Sequence, residues 1–203
     1  IPGIDKFAGE CYHTGRWPHE EVSFAGKRVG VIGTGSSGVQ AVPKIAKSAA
    51  HLTVFQRTPQ YCIPARNGPI DRTYLKEVQR DWKKHRDFML STLSGMPYPA
   101  VDRSALDDTP EQRHQMFENL WLEGGFRMLF GGYNDLMTNK EANATIGEFV
   151  RGKIRELVRD PATASKLLPN YMLGTKRLIL DEGYFETYNR SNVLLVDLRD
   201  DPI

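Results

Sequence analysis

Two groups of residues in this 203-residue chain have the types and spacing to do chemistry on a nucleotide, and a third brings two cations together. The first is Gly33-Thr34-Gly35-Ser36-Ser37-Gly38, a GxGxxG pattern that follows the apolar run Val29-Gly30-Val31-Ile32 and opens a helical pattern. In that setting the first glycine permits a tight turn and the second lets backbone approach a pyrophosphate. The third lets helix and strand pack closely, and the helix N-terminal amides face the phosphates. The second group ends the next strand. Sites for NAD usually place Asp or Glu about 20 residues past the fingerprint, to hold the ribose 2′-hydroxyl. Here Leu52-Thr53-Val54-Phe55 runs into Gln56-Arg57-Thr58, with no carboxylate. A guanidinium fork matches a phosphate, so Arg57 and Thr58 suit the 2′-phosphate of NADP, and NADPH is expected over NADH. The alternative for Arg57 is a solvated charge beyond a strand. The third group is the loop Gly174-Thr175-Lys176-Arg177, with two adjacent cations.

The elements that must position these groups follow from periodicity. Lys27–Ile32 reads as a buried parallel strand, 36–48 as a helix that Pro43 could kink or shorten, and Leu52–Phe55 as a second strand. From Tyr61 to Pro69 the sequence is a punctuated connection, and a long polar helical stretch follows, with Tyr74, Val78 and Trp82 at helical spacing. Thr109-Pro110-Glu111-Gln112 is a capped helix start, leading into a core stripe of Met116, Phe117, Leu120 and Trp121. A further helix over 141–158 carries Ile146, Phe149, Val150, Ile154, Leu157 and Val158 on one side and stops at Asp160-Pro161. After Leu168-Pro169 come the cationic loop, the apolar Leu178-Ile179-Leu180 and a strand at 193–196. The fold class is α/β: a Rossmann-like NADP-binding domain with a parallel sheet, interrupted by a mostly helical insertion, with the last strand rejoining the first sheet. The expected division is a linker over 1–18, the nucleotide domain over 19–65 and 170–203, and the insertion over 66–169.

Bulk properties exclude several classes. A formal charge of +2 with dispersed basic residues gives no footprint for nucleic acid or an anionic membrane surface. Lys83-Lys84-His85-Arg86 is a solvated helical face. No transmembrane run or signal peptide is visible. Cys11 and Cys62 form no disulfide framework, which fits a reducing cytoplasm, and have no metal-ligand spacing, so packing or a partly exposed thiol is the expectation for each and no metal is expected. The opening Ile1-Pro2-Gly3-Ile4 carries no Met and reads as a turn inside a longer protein.

Ahead of the fingerprint stands Phe7-Ala8-Gly9-Glu10-Cys11-Tyr12-His13-Thr14-Gly15-Arg16-Trp17-Pro18. It resembles the FxGxxxHTxxWP signature of type I Baeyer–Villiger monooxygenases, with Phe7, Gly9, His13, Thr14, Trp17 and Pro18 filling every fixed position. GTGSSG, Gln56-Arg57-Thr58-Pro59 and Gly174-Thr175-Lys176-Arg177 follow in the family's order, so the resemblance runs the length of the chain.

The resemblance implies an FAD- and NADPH-dependent enzyme that uses O2 to convert a ketone to an ester or lactone. Arg177 is then the active-site arginine that stabilises developing negative charge, a role suited to a permanently charged guanidinium; the blander role is an exposed Arg at a strand entrance. Lys176 joins Arg57 and Thr58 at the 2′-phosphate, and Gly33, Thr34, Gly35, Ser36, Ser37, Gly38, Val39 and Gln40 line the pyrophosphate and adjoining ribose. Imidazole titrates near neutral pH, which makes His13 tempting as an acid or base. The signature lies in an interdomain linker in this family, so His13 is read as a coupling or structural residue and Trp17 as a packing anchor. The family's FAD fingerprint, its later FAD-domain segment and the acidic partner of the arginine are not found in this sequence. The chain is therefore expected to be an NADPH-binding portion with its helical insertion, whose partners are the FAD domain of the same protein, a ketone and O2, and which alone does not catalyse oxygenation. Two alternatives stand beside it: part of a nitrogen- or sulfur-oxidising flavin monooxygenase, and a non-catalytic NADP-binding module.

Overall fold

The computed structural model describes residues 1, 3–92, 94–99 and 101–200. Pro2 of the expected opening turn, and the last three positions of the 170–203 portion, lie outside the described residues. An extended opening segment, punctuated by 3-10 turns at Ile4–Lys6 and Thr14–Arg16, leads to strand β1 (Arg28–Ile32). Helix α1 (Ser36–Ile45) and strand β2 (His51–Gln56) complete a βαβ unit, with Val29 opposite Leu52 and Val31 opposite Val54 in a parallel ladder. The expected helix over 36–48 thus ends at Ile45, two residues past Pro43, and the chain turns through 46–48.

Strand β3 (Cys62–Pro64) comes next, within the segment expected to be a plain connection. The chain then runs through helices α2 (Arg72–Arg80), α3 (Trp82–Ser91), α4 (Pro110–Glu123), α5 (Arg127–Phe130), α6 (Lys140–Leu157) and α7 (Pro161–Leu167). Strand β4 (Ile179–Asp181), the short helix α8 (Tyr184–Thr187) and strand β5 (Val193–Asp197) follow. β5 adds to β2 in parallel, giving the order β1-β2-β5 and bearing out the last strand's return to the first sheet. The Leu178–Leu180 segment pairs with β3 instead, forming a second, two-stranded parallel sheet.

Local chemistry explains the helix limits. Thr109 and Gln112 form the expected reciprocal capping box at the head of α4, with Pro110 in the first turn. Asn139 caps α6 through the amides of Glu141 and Ala142. Asp160 ends that stretch and also caps α7, accepting from Thr163 N at 2.9 Å. The continuous polar helix expected after Pro69 is broken at Asp81, which serves as N-cap to α3. Neither α2 nor α3 buries a residue; Tyr74 and Trp82 are exposed, with the Arg86 guanidinium lying over the Trp82 ring.

One contiguous core joins the two regions. Val39, Val42, Leu52 and Val54 from the βαβ unit pack into the same cluster as Phe117, Leu120, Trp121, Ile146, Val150 and Ile154 from the helices. Helix α1 lies against β4 and α8, so the element that begins at the glycine fingerprint rests on the segment that follows the cationic loop. The expectation of a buried β1 is corrected. Leu52, Val54 and Leu195 point into the core, whereas the opposite face of the sheet is open, with Ile32 at 53% and Leu194 at 51% exposure. β1 is an edge strand, and no described element covers its outer face, so the apolar run that signalled burial is only half covered.

Candidate functional site: a nucleotide cradle at the strand ends

The C-terminal ends of β1 and β2 carry the first two groups of candidate residues, the position at which open α/β sheets hold ligands. Gly33 leaves β1 with φ 98°, a left-handed conformation that suits glycine, and its N–H donates to Phe55 O at 2.9 Å. A β-carbon on Gly38 would stand 2.2 Å from Gly33 O, so only glycine lets α1 pass this close to the turn. Gly35 is the N-cap of α1 and supplies no side-chain cap, which leaves the first amides of a ten-residue helix directed out of its N-terminus.

The fingerprint residues divide in two. Gly35, Ser36, Ser37 and Gln40 are exposed, Gly33 is half-buried, and Gly38 and Val39 are buried. Val39 packs in the core, so only its main chain is free to meet a ligand. Thr34, at 5% exposure, turns its hydroxyl away from solvent and donates to Thr58 O at 2.9 Å. The side chain therefore ties the glycine turn to the loop after β2.

Arg57 is exposed and Thr58 half-buried, immediately beyond β2. Lys176 and Arg177 are both exposed, on a loop that turns at Gly174 (φ 92°) and is closed by Thr175 Oγ1 donating to Met172 O at 2.8 Å. None of Arg57, Lys176 and Arg177 has an ion-pair partner among the described residues. Of the three, Arg57 directly follows β2, and Lys176 is linked to that strand end through Tyr171 and Gln60.

The signature segment is fastened near the start of β1 by the Glu10–Lys27 ion pair. Phe7 is exposed and folds over Gly9, where a β-carbon would stand 2.7 Å from the ring. His13 is exposed, and its Nδ1 accepts from Gly15 N at 3.1 Å, capping the 3-10 turn that Thr14 opens. Trp17 sits between Tyr12 and Phe24 at centroid distances of 5.6 and 6.2 Å, and Pro18 beside it is half-buried. No hydrogen bond or ion pair among the described residues joins His13 to Arg57, Lys176 or Arg177.

Two residues that the sequence did not single out hold the cradle together. Gln60 Nε2 donates to Thr58 O at 3.3 Å, the same carbonyl that Thr34 bonds. Tyr171 donates to Gln60 Oε1 at 2.9 Å, and its ring lies under the Lys176 ammonium at 4.9 Å. Nothing local marks Tyr171, an aromatic residue in a loop more than a hundred positions from its partner.

Behind the cradle is a buried polar cluster. Asp181, at the end of β4, accepts from Tyr184 N. Burial, opposed by N–H bonds and reinforced by Glu186, pushes its carboxyl up to about 6. Burial also raises the Cys62 thiol, so this cysteine is a packed and unreactive residue, while Cys11 is exposed. Among the described residues no group of His, Cys, Asp and Glu could hold a metal, and no helix is long and apolar enough to cross a membrane. A groove of about 390 Å³ between α4 and α6, floored by Phe117 and Phe149, contains none of the expected site residues.

Residues 1–78 match the model of the flavin-binding monooxygenase-like family. The chain is 43% identical over 204 residues to a cyclohexanone 1,2-monooxygenase of Acinetobacter sp., covering 100% of this chain and 37% of that protein. Along its whole length the chain is similar to Baeyer–Villiger monooxygenases. Another relative, a phenazine N-monooxygenase of Lysobacter antibioticus, is 42% identical over 204 residues with the same shares of the two chains. The crystal structure of OTEMO in complex with FAD and NADP superposes with a TM-score of 0.96 at 41% identity, covering 100% of this chain and 40% of that one. The chain spans less than two fifths of the length of these curated relatives.

Proposed function

We propose that this chain is the NADPH-binding portion of an FAD-dependent Baeyer–Villiger monooxygenase that converts ketones to esters or lactones with O2 and NADPH. The carrying observation is an uncapped, glycine-lined helix N-terminus tied through Thr34 to the loop of Arg57 and Thr58, with Arg57 and Lys176 having no ion-pair partner among the described residues. Its residues fit a dinucleotide phosphate. Gly33, Gly35 and Gly38 give backbone access, the amides of Ser36 and Ser37 face a pyrophosphate, Val39 and Gln40 lie at the adjoining ribose, and Arg57, Thr58 and Lys176 take the 2′-phosphate. NADPH held there would supply hydride for FAD, and we assign FAD and the redox chemistry of O2 to another domain of the same protein. This chain's contribution to catalysis is Arg177, a fixed positive charge for the negative charge that develops on the substrate oxygen. His13 works through its cap on the turn of the signature segment, which positions that segment against the nucleotide domain; Phe7, Gly9, Thr14, Trp17 and Pro18 serve the same end. We take 1–18 as this linker, 19–65 with 170–203 as the nucleotide domain and 66–169 as its insertion. Two cysteines without a disulfide support a cytoplasmic setting.

Calorimetric titration of the chain with NADPH and NADH tests the binding assignment. Tighter binding of NADPH is expected, and equal affinities would remove it. A second reading, oxidation of a nitrogen heteroatom, has one observation in its favour, the similarity to the phenazine N-monooxygenase. Product analysis of the complete enzyme offered a cyclic ketone and an N-heteroaromatic decides between them. A lactone supports the ketone, and an N-oxide alone supports the alternative.

A further inference from the structure

We infer that Tyr171 is a positioning residue that holds Lys176 as a donor to the cofactor's 2′-phosphate; the inference rests on the proposed assignment of Lys176, Arg57 and Thr58 to that group. Lys176 is an exposed side chain with a flexible four-carbon stem, and left alone its ammonium would sample many positions. The Tyr171 ring lies under it at 4.9 Å. An aromatic face attracts an ammonium without neutralising it, whereas a carboxylate at the same place would compete with the phosphate for the charge. Tyr171 therefore orders the cation and leaves its charge for the ligand.

The ring is itself held on several sides. Its hydroxyl donates to Gln60 Oε1 at 2.9 Å and accepts from Tyr61 N at 3.4 Å. Gln60 reaches on to Thr58 O, where Thr34 also bonds. Tyr61 packs edge-on against the Tyr171 ring at 5.3 Å, and Arg151 of α6 donates to the Tyr61 hydroxyl at 2.6 Å. Desolvation pushes the Tyr171 phenol up to about 12, so it stays a neutral donor. The position of Lys176 is thus referred back, through Tyr171 and Gln60, to the strand end that carries Arg57 and Thr58.

The test is calorimetric titration of the 203-residue chain and its variants with NADPH and NADH, read as the ratio of the two dissociation constants. Lys176→Ala should lower discrimination in favour of NADPH. Tyr171→Leu should lower it by about three- to ten-fold, the range expected from losing one cation–π contact. Tyr171→Phe, which keeps the ring, should preserve it. The double variant Tyr171→Leu/Lys176→Ala should fall no further than Lys176→Ala. If Lys176→Ala lowers the ratio and Tyr171→Leu does not, Lys176 binds the phosphate without help and the positioning role is wrong. Equal weakening of both nucleotides by Tyr171→Leu would make Tyr171 a packing residue, which also overturns it. Loss of discrimination in Tyr171→Phe would transfer the effect from the ring to the hydroxyl network and refute the role assigned to the ring. An unchanged ratio in Lys176→Ala would instead remove the phosphate assignment on which the inference stands.

Discussion

The carbonyl oxygen of Gly33 and the α-carbon of Gly38 are so close that a β-carbon on Gly38 would stand 2.2 Å from that oxygen. Both groups belong to main chain, so no flexible side chain can move aside. Gly38→Ala should therefore separate α1 from the β1 turn and cost about 2 kcal/mol or more. Urea unfolding followed by circular dichroism measures the loss. NADPH affinity should fall with it, because the amides of Ser36 and Ser37 move with the helix. A wild-type urea midpoint in this variant would show that the turn has more room than its geometry indicates.

Arg57 and Arg177 should separate binding from chemistry. In the complete enzyme, Arg57→Ala is expected to raise the NADPH concentration required while leaving oxygenation intact at saturation, the signature of lost ground-state binding. Arg177→Ala is expected to leave NADPH oxidation working and to depress ester formation by about 10²- to 10³-fold, the usual cost of removing one electrostatic stabiliser. Parallel assays of NADPH consumption and ester yield distinguish the two. A normal ester yield in Arg177→Ala would restrict this loop to cofactor binding.

The cradle was legible in the sequence because its parts obey local rules. An apolar strand followed by spaced glycines forces a strand–turn–helix, and the absence of an acid near Arg57 is visible without coordinates. The helix stripe of Phe117, Leu120 and Trp121 was equally plain, being both apolar and capped. What escaped depends on distant partners. β3 and β4 have three residues each, too few to show alternation, and become strands only by pairing with each other. Asp160-Pro161 was taken as a stop, although an Asp cap followed by Pro at the first turn is also a start, and α7 begins there. The buried reading of β1 assumed cover on both faces, as parallel sheets usually have, and one face here is open.

Asp181 should give stability an unusual pH dependence. Its carboxyl, ordinarily at 3.8, is raised to about 6 in the folded chain. The folded state then holds a proton that the unfolded state has released between these values. Its contribution is fully present below about 3.8 and is lost as pH rises through about 6. At neutral pH the buried carboxylate costs on the order of 3 kcal/mol. Asp181→Asn keeps an oxygen for the Tyr184 amide and should be more stable than wild type at pH 7.5, with the difference vanishing near pH 4. Urea unfolding of both proteins across this range checks the sign. Paired carboxylates such as Glu148 and Asp197, held below their usual range by arginines, act in the opposite direction, so the comparison between the two proteins is the informative quantity.

Neighbouring leucines on β5 should respond very differently. Leu195 is buried at 8% exposure and Leu194 faces outward from the same strand. Leu195→Ala should cost about 2–4 kcal/mol through lost burial and the cavity left behind. Leu194→Ala should cost less than about 1 kcal/mol. Equal costs, measured by thermal unfolding, would mean that the outward face of the sheet is covered in solution.

The pairing of β3 with β4 and of β2 with β5 constrains the order in which the chain can fold. β1, α1 and β2 are close in sequence and can meet early. Their remaining partners arrive only after the whole helical stretch has been traversed: Asn192 closes onto Ala46 O across 146 positions, and Gln56 onto Lys166 O across 110. Closing such loops costs entropy before any contact repays it, so these pairings are the slow steps. Compaction of α4, α6 and α7 shortens the effective distance and brings β4 and β5 to strands that otherwise wait unpaired. Folding of the helical stretch thus comes before the addition of β5 to β2 and of β4 to β3, and before Lys176 is drawn toward the end of β2 through Tyr171.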